Sequence, residues 1–347
     1  MPHPEIDNSS SFHYEPLWLA DENGVPVLVS VIKAAYKIDG AKLVLADEQT
    51  PVDSSGTYWG NEGPSSYKYE PETAFVKLST DVVLVAHAHA QERNAHFVDA
   101  GIKVGPLQKV VRVFGDRYWV KTGGQIIATK PQPFERLPLI YELAFGGWDM
   151  AAKDEKLWRY EARNPVGRSF GDPLRYVEEG RVPMPNIEDP NHLIKRYGDT
   201  PPPAGFGFIA PHWHPRTQFA GTYDEAWVKE RKPLLPKDFD RRFFNAASPG
   251  LIAPGYLTGD EEVVIVNAAP VTPLRFRLPG VSPPVCRIEL RDRTEILTTN
   301  LDTVIVNTDE MVVFLLWRGC VPVRRGPHDA VAIEVSGGPL ATRPAIA

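Results

Sequence analysis

The 347-residue chain has only two cysteines, Cys286 and Cys320. Two cysteines are too few for the disulfide framework that stabilises many small secreted domains. Both lie in apolar, strand-like stretches, where a buried thiol behaves as a small hydrophobic side chain. The sequence therefore predicts two buried free thiols.

The chain also lacks long apolar and long basic runs. No stretch approaches the roughly 20 apolar residues of a membrane span. The first 16 residues lack the basic region and apolar run of a secretory signal. The formal net charge is −6 and no Lys/Arg block stands out, which argues against nucleic acid as a partner. These absences predict a cytoplasmic protein without a membrane or nucleic-acid partner.

Hydrophobic residues make up 43% of the chain and charged residues 24%, which is ordinary for a globular protein with a sizeable core. Proline is unusually frequent, because 22 of the 34 prolines fall between Pro131 and Pro284. Proline lacks the backbone N–H that helices and central strands require. The middle of the chain is therefore predicted to contain neither long helices nor central strands.

Apolar and β-branched runs recur in the first 120 residues about every 8–12 residues, a spacing typical of sandwiches and barrels. The Asp39-Gly40 pair between two such runs predicts a hairpin over residues 26–45. Further strands are predicted at 75–90, 96–104, 108–119, 262–267, 274–278, 285–290, 300–307 and 311–316. The prediction is a mainly β fold: a sandwich or barrel-like body, a long Pro-rich irregular excursion and a few short helices.

The same pattern predicts one β-rich domain over residues 14–335. Residues 1–13 are predicted to be a disordered tail and residues 336–347 a loose tail. A split into two domains near residue 135 is the alternative. No internal repeat decides between one domain and two.

The stretch from Phe206 to Asn245, called the motif segment below, is dense in aromatic, proline and charged residues. Thr222 and Glu225 have the spacing of a capping box, which predicts a helix from Asp224 to about Arg231 that ends before Pro233. Pro236 and Asp238 predict a second helical turn over Phe239 to Phe244.

Aromatic side chains are the predicted anchors of the motif segment. Trp213 is expected to pack inward, and Trp227, Phe239 and Phe243 are expected to hold the helical turns. Trp227 is predicted to be buried against the β body and to share one helix face with Tyr223 and Arg231. Arg216 is predicted to pair with one of three carboxylates, those of Asp224, Asp238 and Asp240. The rest of the polar fringe consists of Arg241 and Arg242.

Side chains with metal-binding or catalytic chemistry occur, but without a supporting pattern. His212 and His214 flank Trp213, and His87 and His89 share one face of a strand, yet no HExxH or paired-Cys motif supplies further ligands. Asp238 and Asp240 are capable of acid–base chemistry, but carboxylates are favoured at helix starts in any case. No G-x-S-x-G elbow is present. The residues predict no catalytic site, metal or cofactor, and favour a binding or structural protein over an enzyme.

Several stretches, in order along the chain, resemble one known family. They are FVKLSTDVVLVAHA, VFGDRYW, PLIYELAFGGWD, NPVGRSF, PAGFGFIAPHWHPR, AGTYDEAWVKERKPLLPKDFDRRFFNAA and LTGDEEV. The chain is identified from them as similar to the bacterial family catalogued as domain of unknown function 2169, over about residues 12–325. The sequence departs from the family pattern at Ser169, where Gly is usual, and at Leu78, where Pro is usual.

The resemblance implies a role in type VI secretion. Members of the family are regarded as cytosolic adaptors or chaperones that load a toxic effector onto the spike, a VgrG trimer with a PAAR tip. It implies an effector protein or the PAAR–VgrG spike as partner, and carries over no catalytic residue. The motif residues it marks as structural or partner-binding are Trp213, Arg216, Gly221, Thr222, Tyr223, Asp224, Trp227, Pro236, Asp238, Phe239, Asp240 and Phe243.

Two functions of other classes stay open. One is a hydrolase or carbohydrate-active enzyme on a β-sandwich, with Asp224, Asp238 or Asp240 as its carboxylates. A glycosidase needs two such groups about 5–10 Å apart in a pocket. The other is a structural component of a surface assembly. The oligomeric state is not predicted.

Overall fold

The computed structural model describes residues 4–171 and 180–338 of the chain. Strands account for 41% of the residues and helices for 7%. The described residues form several sheets, and none of these sheets closes into a barrel. The prediction of a mainly β fold is confirmed. Within this part of the chain, none of the helices has the length and apolar character that a membrane crossing requires.

The strands are short except in the sheet at the centre of the protein. They are β1 (Glu5–Asn8), β2 (His13–Ala20), β3 (Pro26–Asp39), β4 (Lys42–Leu45), β5 (Thr57–Tyr58), β6 (Tyr67–Tyr69), β7 (Asp81–Val85), β8 (His87–His89), β9 (Phe97–Val104), β10 (Leu107–Phe114), β11 (Tyr118–Thr122), β12 (Gln125–Ala128), β13 (Arg136–Pro138), β14 (Phe145–Gly146), β15 (Trp148–Asp149), β16 (Arg159–Tyr160), β17 (Arg168–Ser169), β18 (Arg181–Pro183), β19 (Ile187–Glu188), β20 (Glu262–Val266), β21 (Leu274–Arg277), β22 (Val285–Leu290), β23 (Thr294–Thr298), β24 (Asn300–Asn307), β25 (Val312–Pro322) and β26 (Ala330–Ser336).

The helices are short, as the proline content predicts. The α-helix α1 covers Glu225–Glu230. The 3₁₀ helices of the described residues are Tyr141–Leu143, Glu155–Leu157, Arg216–Phe219, Arg241–Phe244 and Gly326–His328. Both helical stretches predicted in the motif segment are therefore present, the first as α1 and the second as the 3₁₀ helix Arg241–Phe244.

The central sheet has the strand order β2-β3-β25-β24-β7, with β4 paired to β3. In β3, ten consecutive residues from Val27 to Tyr36 are buried, because the strand is covered on both faces. β24 pairs in parallel with β7 and in antiparallel with β25. Strands from both ends of the chain, on either side of residue 135, therefore share one sheet.

Two further sheets pack against the same hydrophobic core. The five-stranded sheet has the order β19-β10-β9-β20-β21, and the four-stranded sheet has the order β1-β26-β22-β23. Val83 of the central sheet, Ile102 of the five-stranded sheet and Ile333 of the four-stranded sheet belong to one contiguous cluster of buried residues. A separate small core of Trp119, Val182 and Met184 supports the three-stranded sheet β12-β11-β18.

The prediction of a disordered N-terminal tail is wrong for residues 4–13. β1 pairs in parallel with β26 over Glu5–Asn8, and Phe12 is buried with its ring stacked on Trp317 at 5.5 Å. A paired strand and a buried aromatic residue together fix the segment. At the other end, β26 extends to Ser336, and residues 339–347 of the predicted loose tail lie outside the described residues.

Most of the strands predicted from local pattern are present. The Asp39-Gly40 hairpin is confirmed, with β3 and β4 on its two sides and Gly40 at φ 59°. The strands that the sequence did not predict include β2, β12, β23 and β26. β2 contains Pro16 and Glu15, and proline in a strand is tolerated at a sheet edge, which β2 forms.

Both cysteines are free thiols, as predicted. Cys286 is buried, and burial raises the pKa of its thiol to about 11. Cys320 is half-buried, so it is more accessible than the sequence suggests.

Candidate functional site

The two ends of the motif segment are buried in the main core. Phe206 and Phe208 at its start, and Ala246 and Ala247 just beyond its end, are all at most 3% exposed. Phe208 forms a backbone bridge with Ala247. The middle of the segment, from Thr222 to Lys237, projects outward and is mostly exposed. The motif segment is therefore a long loop closed at its base.

Trp213 packs inward, as predicted. It is 1% exposed, and its ring meets Tyr141 edge-on at 5.6 Å. Its indole N–H donates to Nε2 of His212 at 2.9 Å, so this histidine nitrogen acts as an acceptor. Burial lowers the pKa of His212. Among the described residues, no group of three His, Cys, Asp or Glu side chains is placed to hold a metal ion.

Arg216 lies in the 3₁₀ helix Arg216–Phe219 and is buried. Its guanidinium pairs with Glu70 and donates to the carbonyls of Ile209 and Phe243, at 2.6 and 2.9 Å. The prediction of a partner among Asp224, Asp238 and Asp240 is wrong. Those three carboxylates point toward backbone groups of their own loop, whereas Glu70 reaches Arg216 from the β body.

Asp224, Asp238 and Asp240 serve local capping roles. Asp224 is the N-cap of α1 and accepts from the Trp227 N–H at 2.8 Å. Asp238 accepts from the N–H and the hydroxyl of Thr222, at 3.0 and 2.7 Å. Asp240 caps the 3₁₀ helix Arg241–Phe244 and pairs with Arg242. The predicted capping box is wrong, because Thr222 donates to Asp238 and leaves the cap to Asp224.

These hydrogen bonds also lower the pKa of two of the carboxylates. The hydrogen bonds from Thr222 hold the pKa of Asp238 below its usual range, and those from Arg242 do the same for Asp240. Asp224 and Asp238 line a common pocket of about 300 Å³. A glycosidase acid needs a raised pKa, which Asp238 does not have.

Trp227 is half-buried, so the prediction that it is buried against the β body is wrong. Its indole N–H donates to the Leu234 carbonyl at 2.8 Å within the same loop. Tyr223 meets its ring edge-on at 4.7 Å. Because Tyr223 precedes the N-cap Asp224 and Arg231 is the C-cap of α1, the prediction that these residues share one helix face with Trp227 is wrong. The loop instead reaches the β2–β3 turn through Arg231 and Arg241, which bond to the Glu22 carbonyl and carboxylate.

A cluster of phenylalanines joins the end of the motif segment to the body. Phe239, Phe243 and Phe244 lie 5.6–5.8 Å apart by ring centroids, and Phe244 meets Phe75 at 4.9 Å. Phe239 and Phe243 are half-buried, and Phe244 is the member that packs on the main core. The predicted anchors are therefore partly right, with Phe244 missed.

Pro236 and Gly221 meet where the loop turns back. Pro236 is buried, and a Cβ on Gly221 would lie 2.7 Å from the Pro236 Cβ. Gly221 also has φ +80°, a conformation that favours glycine.

The motif segment ends on a buried polar network. Asp81, fully buried at the start of β7, accepts from Asn245 Nδ2 at 3.0 Å and from the Ala246 N–H at 2.8 Å. It also pairs with Lys77 at 2.7 Å, and Lys77 donates to Thr303 of β24. A buried charge needs partners of this kind. Sequence reasoning missed the network, because its members are up to 226 residues apart.

Beside Arg216 lies an open groove of about 440 Å³, called the apolar groove below. Its lining is mostly apolar and consists of Leu78, Ser79, Ile209, Pro215, Arg216, Gln218, Phe219, Arg242, Asn245, Ala247, Pro249, Ile252, Ala253 and Pro254. Leu78 is 45% exposed and Ile252 38% exposed. No local sequence pattern marks the groove, because its walls come from three separate stretches of chain.

Comparison with known proteins gives one result. No curated protein sequence and no solved structure matches the chain. One family model matches residues 23–318, from the β2–β3 turn into β25 and across the whole motif segment. The chain therefore belongs to the family described as "Uncharacterized protein conserved in bacteria (DUF2169)".

Proposed function

We propose that this protein is a non-enzymatic cytosolic adaptor that binds a protein partner in the apolar groove. The partner proposed is a type VI secretion effector or the PAAR–VgrG spike that carries it. Membership of the family supports the role, through the resemblance described above.

The apolar groove is the observation that carries the proposal. Three of its polar lining side chains are already bonded within the chain: Arg216 to Glu70, Asn245 to Asp81, and Arg242 to Asp240. What the groove offers to a ligand is apolar surface. Each large apolar side chain buried there contributes about 1.5–3 kcal/mol. An apolar segment of another protein fits this chemistry better than a sugar or a phosphate.

The rigidity of the groove supports the same proposal. Arg216 and Asn245 line the groove, are buried and are hydrogen-bonded to the body. A preformed wall reduces the ordering cost that binding must overcome.

The test is pairwise co-expression of the tagged protein with each protein encoded beside its gene, followed by co-purification. Leu78→Asp and Ile252→Asp should each reduce capture of the bound neighbour at least about tenfold, because a charge replaces buried apolar contact. Val331→Asp is the matched control, since Val331 is an exposed apolar residue of β26 at 48% exposure. Each variant should retain the wild-type melting temperature.

Other outcomes contradict the proposal in different ways. Capture that is insensitive to both groove variants places the contact elsewhere on the protein. Hydrolysis of a polysaccharide that is lost in Asp224→Asn or Asp238→Asn would support the enzyme alternative. A stable large oligomer of this chain alone, with no neighbour bound, would support the structural alternative.

A further inference from the structure

Lys109 lies on the inward face of β10, between the buried residues Leu107 and Val111. It borders a second cleft, of about 350 Å³. The cleft is open to solvent and is walled by Tyr141, Pro202, Pro203, His214 and Pro249. This places a lysine side chain, directed toward the core, beside a space large enough for a small molecule.

Two acceptors hold the amine. Lys109 Nζ donates to Ser248 Oγ and, at 2.8 Å, to the Pro249 carbonyl. Ser248 Oγ also accepts from the Tyr141 hydroxyl at 3.0 Å and donates to the Gly205 carbonyl at 2.8 Å. Ser248 is 1% exposed. The Ser248 hydroxyl is buried and uses its donor and acceptor positions in these hydrogen bonds. It therefore positions the Lys109 amine and is not itself an exposed nucleophile.

The electrostatic surroundings disfavour a charged amine. Lys109 forms no ion pair with a carboxylate of the described residues. Asp189 faces it at longer range but is itself paired with His192, and Arg163 on the cleft wall is paired with Glu161. His214 and the buried Tyr141 are the other titratable groups of the lining. Burial lowers the pKa of Lys109 to about 8, although the charge of Asp189 acts in the opposite direction.

Two acceptors are sufficient for the N–H groups of a neutral amine. A neutral amine has two N–H groups and a lone pair, whereas an ammonium has three N–H groups. Ser248 and Pro249 accept two hydrogens from Nζ. In the neutral form the third tetrahedral position carries the lone pair. Two donated hydrogen bonds thus leave the nucleophilic electron pair unused.

We propose that Lys109 is a nucleophilic amine that takes a small aldehyde or ketone from this cleft as an imine. The lone pair forms the C–N bond while the carbonyl π electrons move to oxygen. Both N–H protons leave with that oxygen as one molecule of water, and the C=N bond forms. Lysine amines that are desolvated and lack a counter-ion are suited to this reaction. The site is separate in role from the partner binding proposed above.

The test uses acetaldehyde with sodium cyanoborohydride at pH 7, and peptide mass mapping of the alkylated lysines. Lys109 should be modified at least about tenfold faster than Lys121, an exposed lysine of β11, because a pKa near 8 leaves about a tenth of the amine neutral. The rate at Lys109 should rise with pH to a midpoint near 8. Its dependence on acetaldehyde concentration should saturate, as expected for a bound ligand.

Two variants separate the chemistry from general reactivity. Lys109→Arg keeps a cation but should show no modification at position 109, with Lys121 unchanged. Ser248→Ala removes one acceptor and should lower the rate at Lys109. Modification of Lys109 no faster than Lys121, or only in urea-unfolded protein, would overturn the proposal. The melting temperature of each variant verifies that it is folded.

Discussion

Arg216, in the motif segment, is ion-paired with Glu70, which lies 146 residues earlier in the chain. Both side chains are nearly inaccessible, at 6% and 11% exposure. The pair joins the base of the motif loop to the segment that leads into the central sheet. Arg216 itself also lines the apolar groove.

Arg216→Ala should therefore lower the free energy of unfolding by about 3–5 kcal/mol, since it leaves a buried carboxylate without its partner. Urea-induced unfolding measures this loss. Arg216→Ala combined with Glu70→Ala should cost less than the sum of the two single changes.

The matched control is Arg242→Ala, which breaks the exposed pair with Asp240. Exposed pairs contribute little to stability, so this variant should unfold close to wild type. Equal effects of the Arg216 and Arg242 variants would show that the buried pair does not hold the loop.

Trp227→Ala should cost less than Arg216→Ala, about 1–2 kcal/mol. Trp227 is half-buried, and its indole bonds within its own loop to Leu234. Trp227→Phe, which keeps a ring but loses the N–H, should recover part of the loss in the same unfolding measurement. A loss in Trp227→Ala as large as that of Arg216→Ala would restore the view that this residue anchors the loop to the body.

The difference between these two residues shows what the sequence is able to predict. The Asp39-Gly40 hairpin and most strands depend on neighbouring residues, so pattern and turn chemistry find them. The partner of Arg216 depends on tertiary structure, and nearby Asp residues looked equally suitable in the sequence. The Lys109–Ser248 contact spans 139 residues, and no local pattern encodes it.

The prediction for the Pro-rich middle of the chain is right about helices but wrong about central strands, because β20 lies between β9 and β21 inside the five-stranded sheet. Proline frequency excludes long helices there, and the structure has short strands and 3₁₀ turns. Their positions are fixed by buried side chains such as Asn164, which donates to the carbonyls of Tyr141 and Phe145. Hydrogen bonds of this kind, from a side chain to a distant backbone carbonyl, leave no periodic pattern in the sequence and so cannot be predicted from it.

Ser169→Gly should stabilise the protein by about 0.5–1 kcal/mol. Ser169 has φ +78°, in the left-handed region where glycine is free of Cβ strain. The family resemblance places glycine at the same position. The lost hydrogen bond to the Pro183 carbonyl is long, at 3.3 Å, and exposed.

The measurement for this variant is the melting temperature together with urea unfolding. Ser54→Gly is the control, because Ser54 is an exposed serine that is not among the residues with positive φ. The control should be neutral or slightly destabilised, since glycine gains freedom in the unfolded chain. A decrease in the stability of Ser169→Gly would mean that its hydroxyl bond outweighs the backbone strain.

Lys109 gives a prediction about pH with a definite sign. Its pKa is lowered from 10.5 to about 8 on folding. Between these values the unfolded chain binds a proton that the folded protein has released, so the stability of the folded protein should rise with pH. Below about pH 8 both states hold the proton, and the cost of burying the charge is fully present.

Lys109→Met removes the titrating amine and keeps an unbranched side chain in the same space. Relative to the variant, the wild type should gain up to about 1.4 kcal/mol per pH unit above pH 8. Urea unfolding at intervals from pH 6.5 to pH 9.5 measures the two slopes. The variant also loses the bonds to Ser248 and Pro249, but the loss of those bonds shifts its whole curve by a constant. The slope is therefore the discriminating quantity, and parallel curves for the two proteins would show that Lys109 keeps an ordinary amine pKa in the folded state.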